Sequence, residues 1–276
     1  MNILFWNTYR NKHQKNIDSS IIELINQNNC DIIFLAEYVD ELTELCFNLN
    51  LTSKETYKIL PNNKGCDHIK GLIKKKYRIC SLLETSRYQI LKLETTSYKM
   101  ILAAIHNHSK LHSSEEKQKD TLSSLHQDIK EQEMIHNTKN SIIIGDLNVN
   151  PFDSVCIAAN SLFAIPYKSE LKTPTAIRNG KTYEKFYNPS WKFLGNNELP
   201  YTSYRYDNGE FIDYYWNMFD QVIIRPCLID AFDNENFKII THTNNHELVL
   251  NEKPNKNNYS DHLPIFCKFE EDKINE

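Results

Sequence analysis

The chain has 276 residues, 40% of them hydrophobic and 25% charged, with a formal net charge of −4. That is ordinary globular composition, and the acidic balance excludes a protein that holds nucleic acid by bulk positive charge. An acidic chain that works on phosphates needs bound cations and a local basic patch instead.

The first residues, Met1 to Asn7, carry no basic region and only the short apolar run Ile3-Leu4-Phe5-Trp6. They read as a buried strand ending at Asn7 rather than a signal peptide. Asp18-Ser19-Ser20 can cap a helix carrying Ile21, Ile22, Leu24 and Ile25. Asp31 to Glu37 is a second buried strand, ending in a carboxylate. Val39, Leu42, Leu45, Cys46 and Leu49 follow helical spacing. Tyr57 to Leu60 and Gly71 to Ile73 read as strands around the turn Pro61-Asn62-Asn63-Lys64-Gly65. The run Lys74-Lys75-Lys76-Tyr77-Arg78 suits either contact with a phosphate backbone or an edge strand guarded by lysines. Further strands are predicted over Ile79 to Leu83 and Ile90 to Leu93.

Met100 to Ile105 is strongly apolar and ends in His106-Asn107-His108. Ser113 to Glu116 has the form of a capping box, and the helix after it lines up Leu122, Leu125 and Ile129. Ser141 to Gly145 is another buried strand, which runs into Asp146, Asn148 and the turn at Pro151. Alternation points Asp146 and Asn148 the same way. They either face a cleft or satisfy their own turn. Asp153 can cap a short helix over Val155 to Ala159.

Twelve aromatic residues lie between positions 183 and 216, with Lys185, Lys192 and Arg205 among them. Such a stretch is either an irregular insert packed on its own rings or a stacking surface for bases. Asp220 precedes the apolar run Gln221 to Ile224. Residues 251–258 read as a polar loop, Asp261 and His262 sit at a turn before the last strand, and the acidic tail from Glu270 is expected to fray. Seven cysteines at wide spacing, with no CxxC, argue for reduced thiols in a cytoplasmic protein rather than disulfides or a zinc site. No linker divides the chain and no apolar run approaches the roughly 18 residues of a membrane span. One domain over residues 1–276, with no membrane partner, is expected.

The strands therefore end repeatedly in polar groups: Asn7, Glu37, His106, Asp146 with Asn148, and Asp261 with His262. With Phe5-Trp6-Asn7, Leu35-Ala36-Glu37, Gly145-Asp146-Leu147-Asn148, Phe219-Asp220-Gln221-Val222 and Ser260-Asp261-His262 in this order, the chain resembles the endonuclease/exonuclease/phosphatase family. The resemblance implies the deoxyribonuclease I-like fold, a four-layer α/β sandwich of two packed mixed sheets with helices outside. It also implies metal-dependent hydrolysis of a phosphoester.

By the family pattern, Asn7, Glu37 and Asp261 hold the metal, and hard oxygen ligands suit Mg²⁺ or Mn²⁺. Asp146 matches the residue that positions the attacking water and Asn148 one that holds the phosphate. His262 matches the catalytic histidine and Asp220 the carboxylate that orients it. His106 matches a phosphate-contacting histidine that, with the ion, could supply positive charge; His108 competes for that role. Trp191, Tyr204 and Arg205 are assigned to substrate contacts. Ala36 stands where the family often has a glutamine. Pro189-Ser190-Trp191 resembles an inositol phosphatase signature, but Lys192-Phe193 departs from it. The expected function is a nuclease acting on DNA before RNA. A phosphatase or phosphodiesterase for a small nucleotide or phospholipid is the alternative, and a non-catalytic binding module the third reading.

Overall fold

The computed structural model describes residues 1–11, 14–62, 68–109, 114–209, 211 and 213–275, with backbone alone at residues 14 and 15. In chain order the elements that build the two large sheets and their helices are β1 (Asn2–Asn7), α1 (Gln14–Asn28), β2 (Ile32–Ala36), α2 (Leu42–Thr52), β3 (Tyr57–Ile59), β4 (Ile69–Lys74), β5 (Arg78–Glu84), β6 (Tyr88–Glu94), β7 (Lys99–His106), α3 (Glu115–His136), β8 (Ser141–Asp146), α4 (Ser154–Ile157), β9 (Ala164–Ile165), β10 (Phe186–Tyr187), β11 (Asp220–Ile224), β12 (Lys238–Ile239) and β13 (Ile265–Lys268). One sheet has the order β12-β13-β1-β2-β4-β3, the other β5-β6-β7-β8-β11-β10-β9.

Each sheet is centred on a parallel pair joined through a helix: β1 and β2 through α1, β7 and β8 through α3. Parallel strands covered on both faces need continuous apolar sequence, which these segments have. Alternation then sorts the side chains. Leu102, Ala104, Ile142, Ile144 and Val222 share a core with Leu4, Phe34 and Leu72. Ile101, Ile105, Ile143 and Ile223 pack with Leu122, Leu125 and Ile129 of α3. The expected layered sandwich is thereby realised. Gly145 makes one approach possible: a Cβ there would lie 2.0 Å from the Ile105 carbonyl oxygen.

Both parallel pairs end on the same side. Asn7 pairs with Ala36, His106 with Asp146, and antiparallel β11 sets Asp220 directly beside Asp146. Open α/β sheets bind ligands outside the carboxyl ends of their strands, and here the polar strand ends gather there.

Several local expectations change. α1 starts at Gln14, and the Ser19 and Ser20 hydroxyls donate back to the Asn16 carbonyl instead of capping. Val39 lies before α2 and is 58% exposed. Ser113 lies outside the described residues; Ser114 caps α3, accepting from the Lys117 amide at 3.4 Å. Residues 63–65 of the predicted turn are also outside them. Asp153 precedes α4, but its carboxylate accepts from the Asn150 amide at 2.9 Å. The lysine run is the crossover between sheets. Lys74 is buried and pairs with Asp31 at 3.1 Å, while the edge strand β5 begins only at Arg78.

Residues 251–258 are not a loose loop. Lys253–Pro254 pairs with Val249–Leu250, and buried Asn255 donates to the Glu247 carbonyl. Nor does the tail fray: Ile274 is buried, and Glu271 accepts from the Tyr77 and Tyr98 hydroxyls at 2.7 and 2.9 Å. The six described cysteines are free thiols, and Cys66 lies outside the described residues. Among the described residues no helix is long and apolar enough to cross a membrane.

Candidate active site

Three side chains form the densest group. Asp146 closes β8, Asp220 opens β11, and His262 precedes β13; their ligating atoms all lie within 4.8 Å of one another. Nδ1 of His262 sits 2.8 Å from Asp220 Oδ2, and its Nε2 lies 3.9 Å from Asp146 Oδ2. Burial pulls the His262 imidazolium down, but Asp220 and Asp146 together outweigh it and push its pKa up to about 10. Burial also raises Asp146, to about 7, against the pull of His262. The imidazole, which faces two carboxylates, therefore carries a proton at neutral pH.

Asp146 is fixed on both oxygens. Oδ2 accepts from the Asn7 carboxamide at 3.0 Å, and Oδ1 from the Asn148 amide at 2.8 Å. The turn reading of the Asp146–Asn148 stretch therefore holds, and the same bonds fix the direction of the carboxylate. Asn7 is tied to the histidine turn from the other side: the Ser260 hydroxyl donates to the Asn7 carbonyl, and the Trp6 indole to the His262 carbonyl.

Glu37 follows β2 in a left-handed conformation, φ 55°. Its Oε1 lies 3.4 Å from His106 Nε2, which in turn is 3.8 Å from Asp146 Oδ2. Burial first, then His68 and His262, push the His106 pKa down to about 3. The imidazole is neutral at pH 7 and brings hydrogen bonding rather than the positive charge expected of it. Asp261 is half-buried and close enough for its charge to raise both His262 and Tyr204. Glu37 and Asp261 thus converge on one region. His108 does not join the cluster. It is half-buried, and its carbonyl accepts from Gln118.

The sequence reading missed the supports behind these groups. Buried Gln118 of α3 donates to the carbonyls of His108 (2.7 Å) and Asn148 (3.0 Å), and the Asn148 carboxamide donates to the Asn107 carbonyl. Gln221 donates to the Val149 carbonyl and is itself held by Asn188. Asn150 accepts from the Met218 amide and donates to Asn217. These amides lock the Asp146 turn to α3 and β11.

The aromatic stretch divides. Phe186, Tyr187 and Phe193 are buried in the cores. Tyr204 covers His262, ring centroids 4.4 Å apart, and bridges to it through the backbone. Arg205 lies 6.0 Å from the Tyr215 ring, and Trp191 lines a separate cavity.

The residues present fit a hard divalent cation. Asp146 and Asp220 stand with His262 in one group whose ligating atoms lie within 4.8 Å, Glu37 borders it through His106, the Asp261 charge acts on His262, and Asp220 Oδ1 and His106 Nδ1 are buried without hydrogen-bond partners. Among the described residues no thiol lies in that group.

The two sheets and the position of this cluster define the deoxyribonuclease I-like fold. No protein-family model and no curated protein matches the sequence. Solved structures do match. Truncated Caenorhabditis elegans TDP2 has 18% sequence identity and a TM-score of 0.58, over 97% of this chain and 96% of that one. TDP2 of D. rerio complexed with single strand DNA product has 16% identity and a TM-score of 0.53, over 98% of both chains. The 3′-5′ exonuclease NExo of Neisseria meningitidis has 14% identity and a TM-score of 0.56, over 98% of this chain and 99% of that one.

Proposed function

We propose that the chain is a divalent-metal-dependent phosphodiesterase that hydrolyses phosphodiester bonds of nucleic acid, DNA before RNA. The observation that carries this reading is Asp146, held on both oxygens and placed 3.9 Å from an imidazole that Asp220 orients. Asn7, Glu37 and Asp261 would hold Mg²⁺ or Mn²⁺. When bound, the ion supplies Lewis-acid charge stabilisation at a phosphoryl oxygen. Asp146 orients the attacking water and draws its proton. Protonated His262 donates to the phosphoryl oxygen on which charge develops, the electrostatic support such reactions need. Neutral His106 and the Asn148 carboxamide bind the non-bridging oxygens. The DNA product on one fold neighbour and the exonuclease name of another support nucleic acid as the substrate.

The test is cleavage of single-stranded DNA, duplex DNA and RNA with and without added Mg²⁺ or Mn²⁺. Cleavage should require the ion and be lost in Asp146→Asn. Cleavage that persists in chelator, or in Asp146→Asn, overturns the reading.

A further inference from the structure

A cavity of about 530 Å³ lies among the aromatic residues, within the roughly 300–1,000 Å³ range of small-molecule sites. Its walls include Phe152, Trp191, Tyr201, Thr202, Tyr214 and Trp216. Phe152 meets Trp191 and Tyr201 meets Trp216 edge to face, at 72° and 69°, and Phe152 is tilted against Tyr214 at 60°. Two polar atoms in this wall, Trp191 Nε1 and Thr202 Oγ1, are buried without hydrogen-bond partners, and Thr202 is 4% exposed. Both atoms are closed to solvent, so the cavity presents ring faces and edges rather than these two groups.

The segments that line the cavity also build the active site. Phe152 is four residues beyond Asn148, which bounds the separation of their Cα atoms at about 14 Å. Thr202 adjoins Ser203, whose hydroxyl accepts from the Asp220 amide at 3.2 Å. Trp216 adjoins Asn217, which Asn150 holds at 2.8 Å. No lysine or arginine lines the cavity, so a phosphate is not its occupant. A flat heteroaromatic ring can stack on such rings or meet them edge to face.

We propose that this cavity takes one unpaired nucleobase of the strand being cut, so that the enzyme acts on single strands or strand ends rather than intact duplex. The inference rests on the nuclease reading above. A base stacked and paired in a duplex cannot lay its face on these rings without leaving its helix, whereas a single strand can stack its bases on aromatic rings without regard to sequence.

The experiment uses the full chain and a single-stranded oligonucleotide carrying one aminopurine beside the cut position, with an abasic twin as control and free adenosine monophosphate as competitor. Binding should quench the aminopurine. Trp191→Leu, which removes the ring but keeps an apolar side chain, and Tyr214→Ala, at an exposed ring that can be lost without unfolding, should each raise KM for the intact strand. The expected rise for Tyr214→Ala is about 5- to 150-fold, the usual worth of a base–ring stack. Neither variant should change KM for the abasic strand. Equal KM for abasic and intact strands, or variants with wild-type KM, overturns the proposal while leaving phosphodiester cleavage standing. A chain that cuts no phosphodiester yet quenches the probe keeps the base site and refutes the nuclease reading. Quenching by the free nucleotide alone, with none by the strand, overturns it in favour of a small-molecule site.

Discussion

His262→Ala is expected to lower kcat for DNA cleavage by about 10²- to 10⁴-fold, the usual contribution of a positioned acid or base, and Asp220→Asn should give a large part of the same loss. The imidazole is buried, yet Asp220 at 2.8 Å and the nearby Asp146 carboxylate hold its pKa up at about 10. The protonated ring is thus the resting form at neutral pH. An asparagine at 220 keeps the shape but removes the charge that holds the proton, so the ring should titrate well below 10. The sign of the linkage follows. A histidine whose folded pKa exceeds its ordinary 6.5 adds stability that is complete below pH 6.5 and is lost as pH rises through about 10. Wild-type activity should therefore rise as Asp146 loses its proton near pH 7 and fall on the basic side as His262 loses its own. In Asp220→Asn that basic limb should move to lower pH, whereas a merely structural defect would scale the whole profile. A pH–rate profile on protein with a wild-type circular dichroism spectrum checks both. A His262→Ala enzyme within threefold of wild type, or an unmoved limb, would remove His262 from the chemistry.

How far the letters reach can be judged residue by residue. Asn7, His106 and Asp146 were legible because each closes an apolar run too short for a helix, and a strand of that kind has one end that faces the loops. Asp220 was legible for the mirror reason, as the polar residue before such a run. The charge state of His106 was not, because it depends on burial against His68 and His262, which come from distant segments. Gln118 carries no signal either. It is one polar residue in a polar helix, and only the return of α3 over the Asp146 turn buries it against two carbonyls. Glu37 gives no hint in sequence of its left-handed backbone, since strain of this sort is imposed by surroundings. The tail was misread because Ile274 is a lone apolar residue among charges, and the tyrosines that receive Glu271 lie more than 170 positions upstream. The apolar runs thus locate the ends of the strands, while the state and support of each group depend on contacts between remote segments.

The far end of β11 carries the largest expected effect on stability. Arg225 follows Ile224, and its Nε and Nη2 reach Glu133 of α3 at 2.7 and 3.0 Å, with the guanidinium 3.9 Å from the Phe186 ring. Glu133 is 1% and Arg225 3% exposed. Arg225→Ala leaves a buried carboxylate whose remaining cation, Lys139 at 3.1 Å, is half in solvent. Breaking a buried pair in this way costs about 3–5 kcal/mol. At about 2–4 °C per kcal/mol for a domain of this size, Tm should fall by roughly 6–20 °C. The double replacement Arg225→Met with Glu133→Leu should recover most of the loss, because it removes the charge along with its partner. The pair clamps β11 to α3, the two elements that carry Asp220 and Gln118 to the active site. The single variant should therefore lose cleavage activity at temperatures below its own unfolding transition, and the double variant should regain it. Calorimetry alongside activity on the same samples checks both; an Arg225→Ala protein that melts within 2 °C of wild type, by the same scale under about 1 kcal/mol, would show that Lys139 alone satisfies Glu133.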